Sequence, residues 1–247
     1  MSRIARVRDD LRRMGAGGWL VHASSTLVTR LSFGRVRVLA LRFYVQPVAR
    51  TRLLPPRRAA DSIRVEPVTR QAFTAEDFGR PADAIRDRFD DGAVCIAAVK
   101  GDALLGFMWL QQDVLRERLV RCRLHALPAD RVAWDFDFHI EPQYRLGRLF
   151  ARLWDRAFDT LRERGIDATV SWIRFENRSS EHAHLRLGAR RLGWAVFVTA
   201  FEHQLMLGSM RPLLAYARPG ETADLYVDAT QFVDAGNASG AASEPRG

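Results

Sequence analysis

Lysine is almost missing from this chain: Lys100 is the single one, so nearly all of the positive charge rests on arginine. With alanine abundant as well, this bias reads as the codon usage of a GC-rich bacterial genome, and it weakens charge as a functional signal. Cysteine is nearly as scarce. Cys95 and Cys122 are too few for a disulfide framework and lack the C-x-x-C spacing of zinc or redox sites. A reducing, cytoplasmic setting without a bound metal is therefore expected. No apolar run approaches the ~20 residues of a membrane-spanning helix, and Met1 to Arg13 has no apolar core of the secretory type. Helix-turn-helix, zinc-finger and RNP patterns are missing too, and the basic residues are scattered instead of forming a stripe, so no nucleic-acid partner is expected.

What is present is an ordinary globular balance, 47% hydrophobic and 27% charged residues in a chain of 247. At that length roughly 70–75% of the unfolded surface can be buried, enough for a substantial core. The formal net charge of +9 favours an anionic partner, a coenzyme or an acidic membrane surface, although a solvated basic surface is the commoner meaning of such a charge. Ile4, Val7, Leu11 and Met14 mark one face of a basic amphipathic helix that ends near Gly15 to Gly18. Trp19 to Leu31 can form another helix, and Val36 to Val45 reads as a strand stopped by Pro47. Arg50 to Arg58, with Pro55-Pro56, reads as a linker. These signals divide the chain into an N-terminal extension (1–60), a central domain (61–208) and a C-terminal extension (209–247) disordered from about residue 234. The extension before the linker is expected to pack on the core, with a peripheral membrane contact or a homodimer as its other uses.

The central segment begins with a strand at Ile63 to Val68, helical pieces between Thr74 and Phe89, and a hairpin of Ala93–Val99 with Leu104–Gln111. From Val132 to Ile140, Trp134, Phe136, Phe138 and Ile140 alternate with Asp135, Asp137 and His139. A period of two sends the apolar side chains one way and the titratable ones the other. A turn, Glu141 to Arg148, follows. Leu149, Leu153, Trp154, Ala157, Phe158 and Leu161 then recur at helical spacing until Gly165. Ala168 to Phe175 is a second strand, Asn177 opens a short helix that ends at Leu187-Gly188, and Trp194 to Leu207 is a last apolar segment.

Two stretches carry a motif. Ile140-Glu141-Pro142-Gln143-Tyr144-Arg145 matches the first half of V-x-P-x-Y-R-G-x-G-x-G/A. Asn177 to Ala189 is similar to N-x-x-A-x-x-x-Y-x-x-x-G-F. Together, in order, with a helix and a strand between them, they resemble the GNAT superfamily of acyl-CoA-dependent N-acyltransferases over about residues 62–207. The resemblance implies a mixed α/β (α+β) fold, with a mostly antiparallel central sheet flanked by helices and here preceded by the N-terminal helix and strand extension. It implies acetyl-CoA or another acyl-CoA as co-substrate and a small-molecule or protein amine as acceptor. It also implies that main-chain N–H groups of the turn cradle the pyrophosphate at a helix N-terminus. The corresponding residues are Ile140, Gln143, Tyr144, Arg145, Leu146, Gly147, Arg148, Leu149 and Phe150, with Asn177 and Ser180 beside the pantetheine or phosphate region. The chain departs from the pattern at the glycine positions, where Leu146, Arg148 and Phe150 stand in direct register, and at the tyrosine, where His184 stands.

Acyl transfer to an amine needs a base for the amine, a positioned thioester and an acid for the departing thiolate. Asp137, central in the polar series of its strand, is the first choice of base, with Asp135 and His139 beside it; the other reading of all three is a solvated strand face. His184 takes the position of the family's tyrosine and is the expected acid. Asn177 equally suits a helix N-cap, and the two roles are compatible. The competing function is a noncatalytic GNAT-like module that binds acyl-CoA or a partner protein.

Overall fold

The computed structural model describes residue 19 and residues 23–55, 62–145 and 148–234. The protein is mixed α/β, with a large, mostly antiparallel sheet flanked by helices. In chain order the elements are α1 (residues 23–31), β1 (Val36–Pro47), β2 (Arg64–Val68), α2 (Ala82–Asp90), β3 (Val94–Lys100), β4 (Ala103–Gln112), β5 (Val114–Glu117) and β6 (Cys122–Leu127). They continue with β7 (Val132–Ile140), a 3-10 turn (Pro142–Tyr144), α3 (Leu149–Glu163), β8 (Ala168–Arg174), α4 (Arg178–Arg186), β9 (Arg190–Ala200), β10 (His203–Gly208), β11 (Leu214–Ala217) and β12 (Ala223–Asp228). None of the helices among the described residues is long and apolar enough to cross a membrane.

The chain divides into two compact units. Among the described residues, one comprises those up to Pro47, Val114–Pro128 and those from Val170 onward; the other comprises those from Val48 to Asp113 and from Ala129 to Thr169. In the second unit the strands run in the order β7-β4-β3-β2, each pair antiparallel. Gly101 turns the β3–β4 hairpin at φ +58, a conformation that L side chains rarely adopt. On one side of these strands Phe78, Ile85, Cys95, Val99, Phe107 and Trp109 form a core with Phe89 and Phe136 against it. Helix α3 packs on β2, β3 and β4. Its buried residues Leu149, Leu153, Trp154, Ala157, Phe158 and Leu161 keep the 3.6-residue spacing read from the sequence.

In the first unit the order is β11-β10-β9-β1-β8, beside a three-stranded sheet of order β12-β6-β5 in which β12 and β6 run parallel. Strand β1 pairs with β9 from Val36↔Ala200 to Val45↔Arg190. The expected accessory strand is thus an interior strand, and the division at residue 60 is not the one the compact units make. The segment after residue 208 also belongs to the fold: β11 pairs with β10, β12 pairs with β6, and Leu225, Val227 and Val233 are buried. The apolar run Trp194–Leu207, expected as one element, is two strands folded at Phe201-Glu202. Both residues have positive φ, 48° and 67°, with neither the glycine nor the asparagine that would have announced the turn. The amphipathic stripe Ile4 to Met14 and the tail from residue 235 lie outside the described residues.

Candidate functional site

The acid-bearing strand does not hold its alternation. β7 pairs with β4 as Leu110↔Asp135 and Trp109↔Phe136, then the register shifts and resumes at Phe107↔His139, with a bulge in between where Asp137 takes φ 46°. Facing residues of an antiparallel pair share a side. Asp135 therefore stands with Leu110, while Phe136 and His139 both stand on the Phe107–Trp109 side. The expectation that Asp135, Asp137 and His139 share one polar face is thus corrected: Asp135 is on the opposite side, because the extra residue at the bulge flips everything after it. Gly106 makes room for this. A Cβ there would meet the His139 carbonyl oxygen at 2.7 Å.

Each of the three groups has a different environment. Asp135 is 4% exposed and accepts a hydrogen bond from Thr169 Oγ1 at 2.6 Å. Asp137 accepts from Arg80 Nε at 2.8 Å, from Arg80 Nη2, and from Arg88 Nη1 at 2.6 Å. The two guanidinia lie over Phe107 and Trp109 respectively, which puts Asp137 on the His139 side. Burial alone would raise the Asp137 pKa. The hydrogen bonds from Arg80 and the charge of Arg88 outweigh it and hold the carboxyl below its ordinary value. A carboxylate so engaged is a poor proton acceptor, which argues against the expected base role. His139 is half-buried, stacks on Phe107 with centroids 5.4 Å apart, and has Nε2 3.2 Å from Glu141 Oε1.

The strand end and 3-10 turn that follow β7 lead toward the N-terminus of α3. Ile140 is buried at the end of the strand, Tyr144 N–H closes the 3-10 turn on Glu141 O at 2.8 Å, and Arg145 Nε donates back to Ile140 O at 2.9 Å. Gln143 and Arg145 are exposed and Tyr144 is half-buried, while Leu146 and Gly147 lie outside the described residues. Arg148 occupies the N-cap position of α3 with no side-chain cap hydrogen bond, and the first turn carries no acidic residue. The leading N–H groups of a helix are unsatisfied by the helix itself and sit at the positive end of its dipole, so this end suits an anion. Leu149 is buried. Phe150, which stands at a glycine position of the motif, turns inward with its ring 5.1 Å from Phe138 and 6.5 Å from Trp154, instead of projecting across the turn.

In the first unit, Asn177 caps α4 by accepting from Ser180 N–H at 3.2 Å, as its N-cap reading requires. Ser180 is half-buried and His184 is 8% exposed. Reading the sequence missed the group that anchors this helix. Glu181 accepts from Tyr44 Oη at 2.5 Å, Arg191 Nη2 at 2.7 Å and Arg42 Nη1 at 3.2 Å. Gln46 Nε2 donates to the Leu187 carbonyl at the other end of α4 at 2.9 Å. Burial, and then the hydrogen bond to Glu181, push the Tyr44 pKa up to about 12. The signal for this cluster was present in β1, where Arg42, Tyr44 and Gln46 alternate with Leu41, Phe43 and Val45. Arg80 and Arg88 gave no such signal. Among the described residues no group of His, Cys, Asp and Glu could hold a metal ion, and both cysteines are buried free thiols.

No family model matches the chain, and no curated protein matches it. Among solved structures it is similar to a functionally unknown conserved protein from Staphylococcus epidermidis, at 10% identity and TM-score 0.44 over 70% of this chain and 65% of that one. It is similar to a candidate acetyltransferase of the GNAT family from Novosphingobium aromaticivorans, at 15% identity and TM-score 0.44 over 67% of this chain and 66% of that one. It is also similar to a tandem GNAT protein from the clavulanic acid biosynthesis pathway, at 14% identity and TM-score 0.45 over 66% of this chain and 54% of that one. The chain thus spans less than two thirds of the length of each of these proteins.

Proposed function

We propose that this protein is an acyl-CoA-dependent N-acyltransferase that moves an acyl group, in the first instance acetyl, directly from the thioester to an amine on a small molecule or protein. The observation that carries the proposal is the motif-bearing stretch on either side of residues 146–147: strand end and 3-10 turn up to Arg145, then from Arg148 the N-terminus of a 15-residue helix with no side-chain cap among the described residues. Arg145 and Arg148 flank that end, and the ring of Phe150 is turned away from it. Coenzyme A fits these groups, with the helix N–H groups and the two arginines holding its phosphates.

In the reaction the amine nitrogen attacks the thioester carbonyl, the new C–N bond forms as the C–S bond breaks, and the ammonium proton must leave while the thiolate gains one. Asp137 is committed to two arginines and Asp135 to Thr169, so His139 is the base of choice, directly or through a water. His184 is assigned the proton for the thiolate from its motif position. Calorimetry with coenzyme A should give binding that weakens about tenfold in Arg145→Ala, the loss expected for one charged hydrogen-bonding partner. Release of free thiol from acetyl-CoA with a primary amine should fall about 10²-fold in His139→Gln and in His184→Phe, at nearly unchanged coenzyme A affinity.

A noncatalytic acyl-CoA-binding module is the second reading, favoured by the engagement of both strand carboxylates. It predicts coenzyme A binding with no turnover for any amine, and amine-dependent, multiple-turnover thiol release in the wild type excludes it. No binding of any coenzyme A species would end both readings.

A further inference from the structure

A pocket of about 610 Å³ opens in the first unit where β1 begins and the β9–β10 hairpin turns. Arg37 and Thr199, neighbours across β1 and β9, line part of its wall, and Thr199 is in turn the neighbour of Gln204 in β10. Arg37 ends a file of side chains whose inner members Leu41 and Phe43 are fully buried, so a core face gives way to charge at this point. Gln204, 1% exposed, fixes the neighbouring turn by accepting from Arg121 N–H and donating to Arg121 O, both at 2.9 Å. The Arg121 side chain then donates to the main-chain carbonyls of Glu221, at 3.0 Å, and Glu202. Neutral acceptors hold that guanidinium in place without cancelling its charge.

Arg35 and Arg37 also line the pocket, and among the described residues no carboxylate pairs with either. Three guanidinia against the single carboxylate of Glu202 leave two positive charges. The hairpin tip is fixed at the edge of the pocket. Phe201 and Glu202 both adopt the left-handed conformation, which a bulky residue rarely does, and the turn is held there by Phe201 N–H on Arg35 O at 3.1 Å and by Arg121 on Glu202 O. Phe201 is left 66% exposed.

We infer that this pocket binds a phosphate-bearing small molecule. A phosphate monoester carries about −1.5 to −2 charges near pH 7, which matches the excess positive charge. Guanidinium forks fit its oxygens, and the Thr199 hydroxyl supplies another donor. The space exceeds a bare phosphate and lies within the roughly 300–1,000 Å³ of small-molecule pockets. The Phe201 ring offers an apolar wall for the organic body. None of the residues assigned to coenzyme A contributes to this pocket, so the inference stands apart from the acyltransferase reading.

The test is calorimetric titration of the full chain with adenosine 5′-monophosphate and with inorganic phosphate at low ionic strength. The wild type should bind the nucleotide and bind phosphate more weakly. Arg37→Glu and the charge-neutral Arg37→Gln, each checked for folding by circular dichroism, should weaken nucleotide binding about tenfold or more. Arg64→Gln should stay within about twofold, since that residue does not line the pocket. Absence of nucleotide binding overturns the inference. So does binding lost in Arg145→Ala but kept in Arg37→Gln, which would place the nucleotide at the turn before α3. An equal loss in Arg64→Gln would reduce the effect to diffuse surface charge and overturn it as well.

Discussion

Asp137 is the residue whose environment most changes what the strand can do. Its positive φ and its contacts with Arg80 and Arg88 belong together: the bulge turns the carboxylate toward two cations that regular pleating would have kept from it. Removing the charge leaves two partly buried guanidinia without their counterion, and that loss, more than the pair's net worth, sets the cost. Asp137→Asn should destabilise the protein by about 2–3 kcal/mol at pH 7, read as a shift of the urea midpoint. The carboxyl has a folded-state pKa below its unfolded value, so its stabilisation is fully present above the ordinary aspartate range near ~3.9 and disappears as pH falls through the folded value. The gap between wild type and variant should therefore narrow in acid. A gap as large at pH 2 as at pH 7 would mean that the ion pair is not its source.

At the scale of elements, β1 has two functions. One face supplies Leu41 and Phe43 to the core, and the other sends Arg42, Tyr44 and Gln46 to the two ends of α4. The helix carrying Asn177 and His184 is therefore held by a strand more than a hundred residues away in sequence. A chain truncated to begin at Val48 loses the partner of β9, the Arg42 and Tyr44 donors to Glu181 and the Gln46 donor to Leu187 together. Hydrogen exchange should show α4 and β9 amides losing protection by at least 10²-fold, because an unpaired strand and an unanchored nine-residue helix have little stability of their own. Unchanged protection would show that β1 is dispensable for this site.

For the molecule as a whole, the charge of +9 is carried on arginines that cannot lose their protons in the working range. It gives the protein a field that attracts any multiply charged anion, over and above local contacts. Screening shortens to about 3 Å at 1 M salt from about 10 Å at 0.1 M, so long-range attraction fades while direct hydrogen bonds remain. Coenzyme A affinity should fall about tenfold between 0.05 and 0.5 M sodium chloride in the wild type, with a shallower slope in Arg145→Ala. An affinity independent of salt would assign binding to the apolar arm of the coenzyme and take the turn before α3 out of the reading.

Local periodicity determined much of this protein. The β3–β4 hairpin, β7, α3 and α4 are legible in the chain from local signals: two apolar runs on either side of Lys100-Gly101-Asp102, the alternation written into β7, the 3.6-residue stripe of α3 and the asparagine that opens α4. The turn after β7 and the cap on α4 were legible for the same reason, since their partners lie within a few residues. The tertiary structure alone decided which strand side each acid occupies. Alternation is informative only while the register is unbroken, and the extra residue at Asp137 breaks it through pairing with β4. It also decided that Asp137 answers to arginines 49 and 57 residues away, that β1 is interior, and that Phe201-Glu202 is a turn without turn residues. Those outcomes depend on contacts between segments far apart in sequence, whose free energies outweigh local preference and leave no trace in the local pattern.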